Sequence, residues 1–231
     1  MNRVERARLA SRLATREVAV THRAAALLLE YPTPDLVALV PTLSAAVAEL
    51  PTALAAPLAT TLDHVAATPP SVLAAQYVET FDLRRRCSLY LTYYAYGDTR
   101  RRGVALVEFK QAYRSVGLEV ADDELPDHLA VVLEAASGPD RLAREAGLRL
   151  LLAHRAGLEL LRLALLDAGS PWAGAVVAVC ATLPPLEGED RAAVARLAAE
   201  GPPDETVGLD PTLHPAIAPY ALDPTTSGAL R

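Results

Sequence analysis

The sequence predicts an all-α protein, a single globular bundle of about ten helices. Three observations predict it. Fifty-two per cent of the 231 residues are hydrophobic but only 5% are aromatic, so the core is built from Leu, Ala and Val, and Ala and Leu lead the helix-propensity scale. Runs of β-branched and aromatic residues alternating with period two, the mark of strands, are nearly absent. Caps and prolines punctuate the chain at helix-length intervals. A chain of this length buries roughly 70% of the surface its unfolded form exposes, so one core suffices without cross-links.

The punctuation places helices near 3–30, 34–49, 52–66, 71–85, 88–95, 99–116, 126–136, 139–168, 171–182 and 188–200. Tyr31-Pro32-Thr33-Pro34-Asp35 ends the first and starts the second, with Thr33 as N-cap and Pro34 in the first helical position. Pro69-Pro70-Ser71 separates the third from the fourth. Asp98-Thr99 caps the sixth, in which Leu106, Phe109, Tyr113 and Val116 recur at helical spacing. Pro126 opens the seventh, and Ser137-Gly138-Pro139-Asp140 reads as a stop followed by a start. In the eighth, leucines from Leu148 to Leu166 surround much of the circumference, as in a central, largely buried helix. Ser170-Pro171 repeats the cap-then-proline pattern ahead of Trp172. Three units result: an N-terminal extension over 1–17, a helical domain over 18–200, and a Pro-rich tail over 201–231 that lacks periodicity and reads as extended or disordered.

Several function classes are disfavoured. The net charge is −6, which gives no general support for nucleic-acid binding. Cys87 and Cys180 are the only cysteines, too few for a disulfide framework, and point to a reduced, cytoplasmic setting. The first twenty residues carry charges throughout and have no secretory core. The longest uncharged stretch, Ala168 to Leu186, is broken by Pro171 and Pro184-Pro185 and falls below the ~20 residues of a membrane span; a soluble protein is expected. No two of the five histidines sit at helical metal-pair spacing, and CxxC, phosphate-loop, dinucleotide and nucleophile-elbow motifs are missing. Neither an enzyme nor a bound cofactor or metal is expected.

Chemistry concentrates in residues 77–113, which hold eight of the eleven aromatic side chains and two arginine triplets. Tyr77 and Phe81 are four apart and share a helix face, as are Tyr90 and Tyr94; core packing is the favoured reading for Phe81. Tyr90, Tyr93, Tyr94 and Tyr96 cannot all enter one narrow core, so some line a groove. Arg84–Arg86 suit a helix C-terminus. Arg100–Arg102 sit near a helix start, where the dipole gives no such reason, and either pair with carboxylates such as Asp82 and Asp98 or meet a partner. Residues 119–134 hold six acids and no Arg or Lys. Within them, Asp127-His128 either cap the helix after Pro126 or present a polar patch to a cationic or hydrogen-bonding ligand.

YPTPDL, YVETFDLRRRCSLYLTYYAYGDTRRRG and ELPDHL together resemble the NarJ-type nitrate reductase assembly chaperones (delta subunits), part of the wider TorD/DmsD-like class of redox-enzyme maturation chaperones. The resemblance covers approximately residues 18–200. It implies a cytoplasmic, TorD/NarJ-like all-helical chaperone and leaves its oligomeric state, monomer or dimer, open. Its partner would be the immature, apo catalytic alpha subunit of respiratory nitrate reductase, engaged through a basic N-terminal leader and a second, unidentified segment. It would support insertion of the molybdenum cofactor into that subunit; neither a nucleic-acid partner nor a membrane span is expected of this chain. Pro126, Asp127 and His128 carry over from the wider class as part of the leader site. The expected client-peptide set is Tyr77, Phe81, Tyr90, Tyr93, Tyr94, Tyr96, Asp98, Arg100, Arg101, Glu124, Pro126, Asp127 and His128. A nonpolar groove would take the apolar face of the leader and the acids its basic face. The competing reading is an all-helical small-molecule sensor with a tyrosine-rich pocket.

Overall fold

The computed structural model describes residues 15–201. The regular elements there are helical: α1 Thr15–Leu28, α2 Pro34–Ala48, α3 Thr52–Ala67, α4 Pro70–Tyr77, α5 Tyr93–Tyr96, α6 Arg100–Arg114, α7 Leu129–Ser137, α8 Arg141–Ala153, α9 Arg155–Asp167, α10 Ala173–Thr182 and α11 Gly188–Glu200. The all-α expectation holds. The helix start expected before residue 15 and the tail after 201 lie outside the described residues.

Two of the expected caps form, whereas the Thr99 hydroxyl donates back to Tyr96 O at 2.7 Å and makes no side-chain cap on α6. Thr33 Oγ1 accepts the Leu36 N–H at 3.2 Å, with Pro34 opening α2. Asp140 accepts the Ala143 N–H at 2.9 Å and starts α8. Each satisfies one of the amide donors that a helix N-terminus leaves without an intrahelical partner.

The core centres on α10, whose Ala175, Val176, Ala178, Val179 and Cys180 are all buried. It packs against α1, α3 and α9, while α7 lies between α1 and α8. Contact with α3 is unusually close: a Cβ on Gly174 would stand 2.0 Å from the Pro57 carbonyl oxygen. Only glycine allows this approach. Trp172, just ahead of α10, is enclosed by the rings of His64, Tyr77 and Phe81 at centroid distances of 5.5–5.9 Å. No helix among the described residues is long and apolar enough to cross a membrane.

Four expectations need correction. The fourth helix does not run regularly to 85: α4 passes into a wide π turn, Val78–Asp82, closed by Leu83 N–H to Val78 O at 3.1 Å, and a 3₁₀ turn follows at Arg85–Cys87. Residues 88–90 are non-helical, because Tyr90 pairs with His128, and a turn at 91–92 leads into α5. For the same reason Pro126, Asp127 and His128 precede α7, which begins only at Leu129. The expected long helix over 139–168 breaks at His154 (φ −106°, ψ 24°). Its halves have separate partners: α8 packs on α7, whereas α9 packs on α10 and α5. Its leucines divide accordingly, Leu151, Leu158, Leu161 and Leu165 being buried while Leu148, Leu152, Leu163 and Leu166 are exposed.

Candidate peptide-binding site

Two extended segments, far apart in sequence, meet at the centre of the aromatic region. Leu91 N–H donates to Asp127 O at 3.0 Å, Leu129 N–H donates to Leu89 O at 2.8 Å, and Tyr90 faces His128 across this short antiparallel bridge. The rings of Tyr90 and His128 meet edge to face at 5.4 Å. Asp127 is fully buried, and its Oδ2 accepts hydrogen bonds from the backbone N–H and the hydroxyl of Thr92. Arg102 approaches the same oxygen at 3.6 Å, donates from Nε to Thr92 Oγ1 at 3.2 Å, lies 3.5 Å from Asp98, and places its guanidinium 5.0 Å from the Tyr90 ring centroid. Asp127 therefore ties the 88–92 segment to the loop before α7. It neither caps α7 nor forms a surface patch. His128 is half-buried, and burial lowers its pKa against the opposing pull of Asp127.

The aromatic residues expected as a groove wall divide sharply. Tyr77, Phe81, Tyr93 and Tyr94 are buried, which agrees with core packing for Phe81 but corrects the place of all four in the expected client-peptide wall. The physical reason is that three tyrosine hydroxyls reach backbone carbonyls from inside the core. Tyr77 donates to Leu29 O at 2.9 Å, Tyr94 to Ser88 O at 2.9 Å and Arg86 O at 3.1 Å, and Tyr113 to Pro126 O at 2.9 Å. A buried tyrosine with such a partner carries little polar penalty. Tyr90 and Tyr96 are half-buried and reach the surface. Tyr96 lines a shallow hollow of about 230 Å³ with Arg101, Val104 and Glu108. Asp98, Arg100 and Arg101 are exposed around the start of α6, and Pro126 is buried. Arg84 pairs with Glu79 at 2.5 Å, and Arg86 stands 3.9 Å from Asp167 at the C-terminal end of α9, where the helix dipole favours positive charge.

The accessible groove lies on the other side of the Asp127 node. A hollow of about 660 Å³ opens between α1, the loop after α6, α7 and the start of α8. Leu118, Val120, Val131 and Ala135 give it an apolar lining; Glu119, Glu124 and Glu134 bring carboxylates, and Arg23 is the basic side chain there. Arg23 Nη1 sits 2.5 Å from Glu134. Burial, together with the neighbouring Glu134 and Glu124, raises the Glu30 carboxyl, while Arg23 opposes the shift. Negative charge is thus in excess around this groove. Beyond the Leu118–Val120 strap a smaller hollow of about 150 Å³ sets Lys110 and Arg114 beside Glu119 and Asp122, so acids and bases balance there.

Sequence and helix ends explain the groove. Gly117, at φ +74°, closes α6, and the Leu118 N–H returns to Tyr113 O at 3.0 Å. This left-handed glycine closure turns the chain sharply off the helix. Tyr113 anchors the far end of the loop through Pro126, so the loop is fixed at both ends. On α7, Val131, Glu134 and Ala135 follow i, i+3, i+4 spacing and share one face. Of the expected set only Glu124 lines this groove; Asp127 and His128 stand just before the α7 turn that carries Val131. Leu118, Val120, Val131 and Arg23 were not singled out from the sequence, and Glu134 was read there only as one of the acids of 119–134. The spacing on α7 and the density of acids were the available signals.

A family model described as the nitrate reductase delta subunit matches residues 46–178, a span that includes the Asp127 node and, apart from Arg23, the groove residues named above. The chain belongs to the nitrate reductase delta subunit family. Among relatives of this family member, the "Nitrate reductase-like protein NarX" of Mycobacterium tuberculosis (strain H37Rv) is 49% identical over 105 residues, 46% of this chain and 16% of that protein. The "Probable nitrate reductase molybdenum cofactor assembly chaperone NarJ" of Bacillus subtilis is 36% identical over 63 residues, 27% of this chain and 34% of that protein. The "Nitrate reductase molybdenum cofactor assembly chaperone NarJ" of Escherichia coli K12 is 43% identical over 56 residues, 24% of each chain. The matched regions therefore span between 16% and 34% of these relatives.

Proposed function

We propose that this protein is a cytoplasmic assembly chaperone of respiratory nitrate reductase without catalytic activity of its own. It holds the immature catalytic alpha subunit through that subunit's basic N-terminal leader and supports insertion of the molybdenum cofactor. Family membership and the names of the NarJ relatives support the general role. The observation that carries the site is the apolar hollow at Leu118–Ala143 with Glu119, Glu124 and Glu134 around it.

An amphipathic helix laid in such a groove buries its nonpolar face on Leu118, Val120, Val131 and Ala135, and its basic residues meet the three carboxylates. The Asp127 node holds the groove's loop in place from behind. Tyr90 and His128, with Tyr96, Asp98, Arg100 and Arg101 farther along the surface, provide contacts for client sequence outside the leader. Ordering the leader on binding lowers net affinity, which suits a chaperone that must let go.

The test is calorimetric titration of the alpha-subunit leader peptide into the full chain and into a Glu119→Lys/Glu124→Lys variant. Both side chains are exposed, so the fold is retained. The variant should lose about tenfold or more in affinity, and binding to the unaltered protein should weaken with added salt. Equal affinity for both proteins would remove the groove from the account.

A further inference from the structure

We propose that residues 1–14 of this chain occupy the acid-lined groove when no client is present, as an internal stand-in for the leader. This inference rests on reading that groove as the leader site. The segment reads MNRVERARLASRLA: Arg3, Arg6, Arg8 and Arg12 against Glu5, interleaved with Met1, Val4, Leu9 and Leu13. It has the basic and apolar character that the groove selects. The other segment outside the described structure has the wrong sign. Residues 202–231 carry Asp204, Glu205, Asp210 and Asp223 against Arg231, so Glu119, Glu124 and Glu134 repel it.

The attachment point allows the contact. Residues 1–14 run directly into α1, and α1 itself supplies Arg23 to the groove. Thr15 and Arg23 are eight residues apart, about 12 Å along a helix at 1.5 Å per residue. At a reach of at most ~3.3 Å per residue four residues suffice for that distance, so a segment as long as 1–14 can bring Arg3, Arg6 and Arg8 to the hollow. Arg23 on Glu134 at 2.5 Å shows the contact chemistry already in use at this site. Tethering holds the segment at an effective concentration on the order of millimolar. Even a weak intrinsic affinity therefore fills the groove until a client competes.

Two measurements on the full chain test this. First, Val4→Cys is labelled with a photo-crosslinker, which is selective because Cys87 and Cys180 are buried. Cross-links to residues 118–143 within one molecule, lost on adding the alpha-subunit leader peptide, are expected. Second, an Arg3→Glu/Arg6→Glu/Arg8→Glu variant should bind that leader about tenfold more tightly than the unaltered chain, since its tethered competitor is gone. If the leader responds to Glu119→Lys/Glu124→Lys but not to the arginine reversals, and position 4 cross-links elsewhere, the stand-in is overturned while the leader groove survives. If cross-links form only between differently isotope-labelled copies, the occupant is a second molecule and the internal reading is wrong. If the leader is indifferent to Glu119→Lys/Glu124→Lys, the groove reading fails and the stand-in falls with it.

Discussion

At Asp127 a carboxylate is carried wholly out of solvent and held by Thr92 and Arg102. Its other oxygen, Oδ1, has no hydrogen-bond partner among the described residues, so the node depends heavily on those two residues. Removing one member of a buried charged set strands the others. Asp127→Ala is expected to cost about 3 kcal/mol in urea unfolding. Asp98→Ala removes an exposed partner of the same arginine and should stay within about 0.5 kcal/mol. Comparable losses at both positions would contradict the node. This role was not legible in the sequence, where the choice lay between a cap and a surface patch. Thr92 is 35 residues away from Asp127, and nothing local announces it. Glu124 was legible because it lies in a dense acidic run. Tyr77 and Tyr94 misled, because hydroxyls that looked in need of solvent found carbonyls at Leu29, Ser88 and Arg86 instead.

Among the elements, helix packing turns on two glycines with opposite expected outcomes. Gly174 lets α10 rest on the backbone of α3, whereas Gly103 in α6 has nothing within 4 Å of where its Cβ would stand. Gly174→Ala should destabilise by roughly 3 kcal/mol, since backbone atoms rather than a side-chain tip must move. Gly103→Ala should stabilise by about 0.5–1 kcal/mol through helix propensity alone. Thermal midpoints moving in the same direction for both would contradict the packing described. Helix ends marked by local chemistry were readable: Thr33-Pro34 and Asp140 cap where expected. Elements fixed by distant partners were not. Residues 88–90 have helical neighbours yet leave the helix to pair Tyr90 with His128, and the break at His154 reflects different partners for α8 and α9.

Across the whole molecule, buried histidines link stability to pH. His22, between α1 and the end of α10, contacts Thr182 Oγ1 through Nε2 at 2.8 Å, and burial lowers its pKa to about 4. In the unfolded chain it titrates near ~6.5. Between these values the unfolded state binds a proton that the fold excludes, so stability is complete above pH ~6.5 and falls as pH drops toward 4. The loss from this group reaches about 3 kcal/mol. Burial lowers His128 and His154 as well, which adds in the same direction. His22→Gln should flatten the decline in urea midpoint between pH 7 and pH 4; an unaltered slope would contradict the linkage.

The bundle as a whole presents one face where apolar lining and carboxylates coincide, and the account stands on that face receiving a cationic peptide. Hydrogen–deuterium exchange of the full chain, with and without saturating alpha-subunit leader peptide, reads this most directly. Slowed exchange should concentrate in residues 118–137, the loop after α6 and α7. Slowed exchange confined to the Arg84–Arg86 turn or to α11, with 118–137 unaffected, would contradict it.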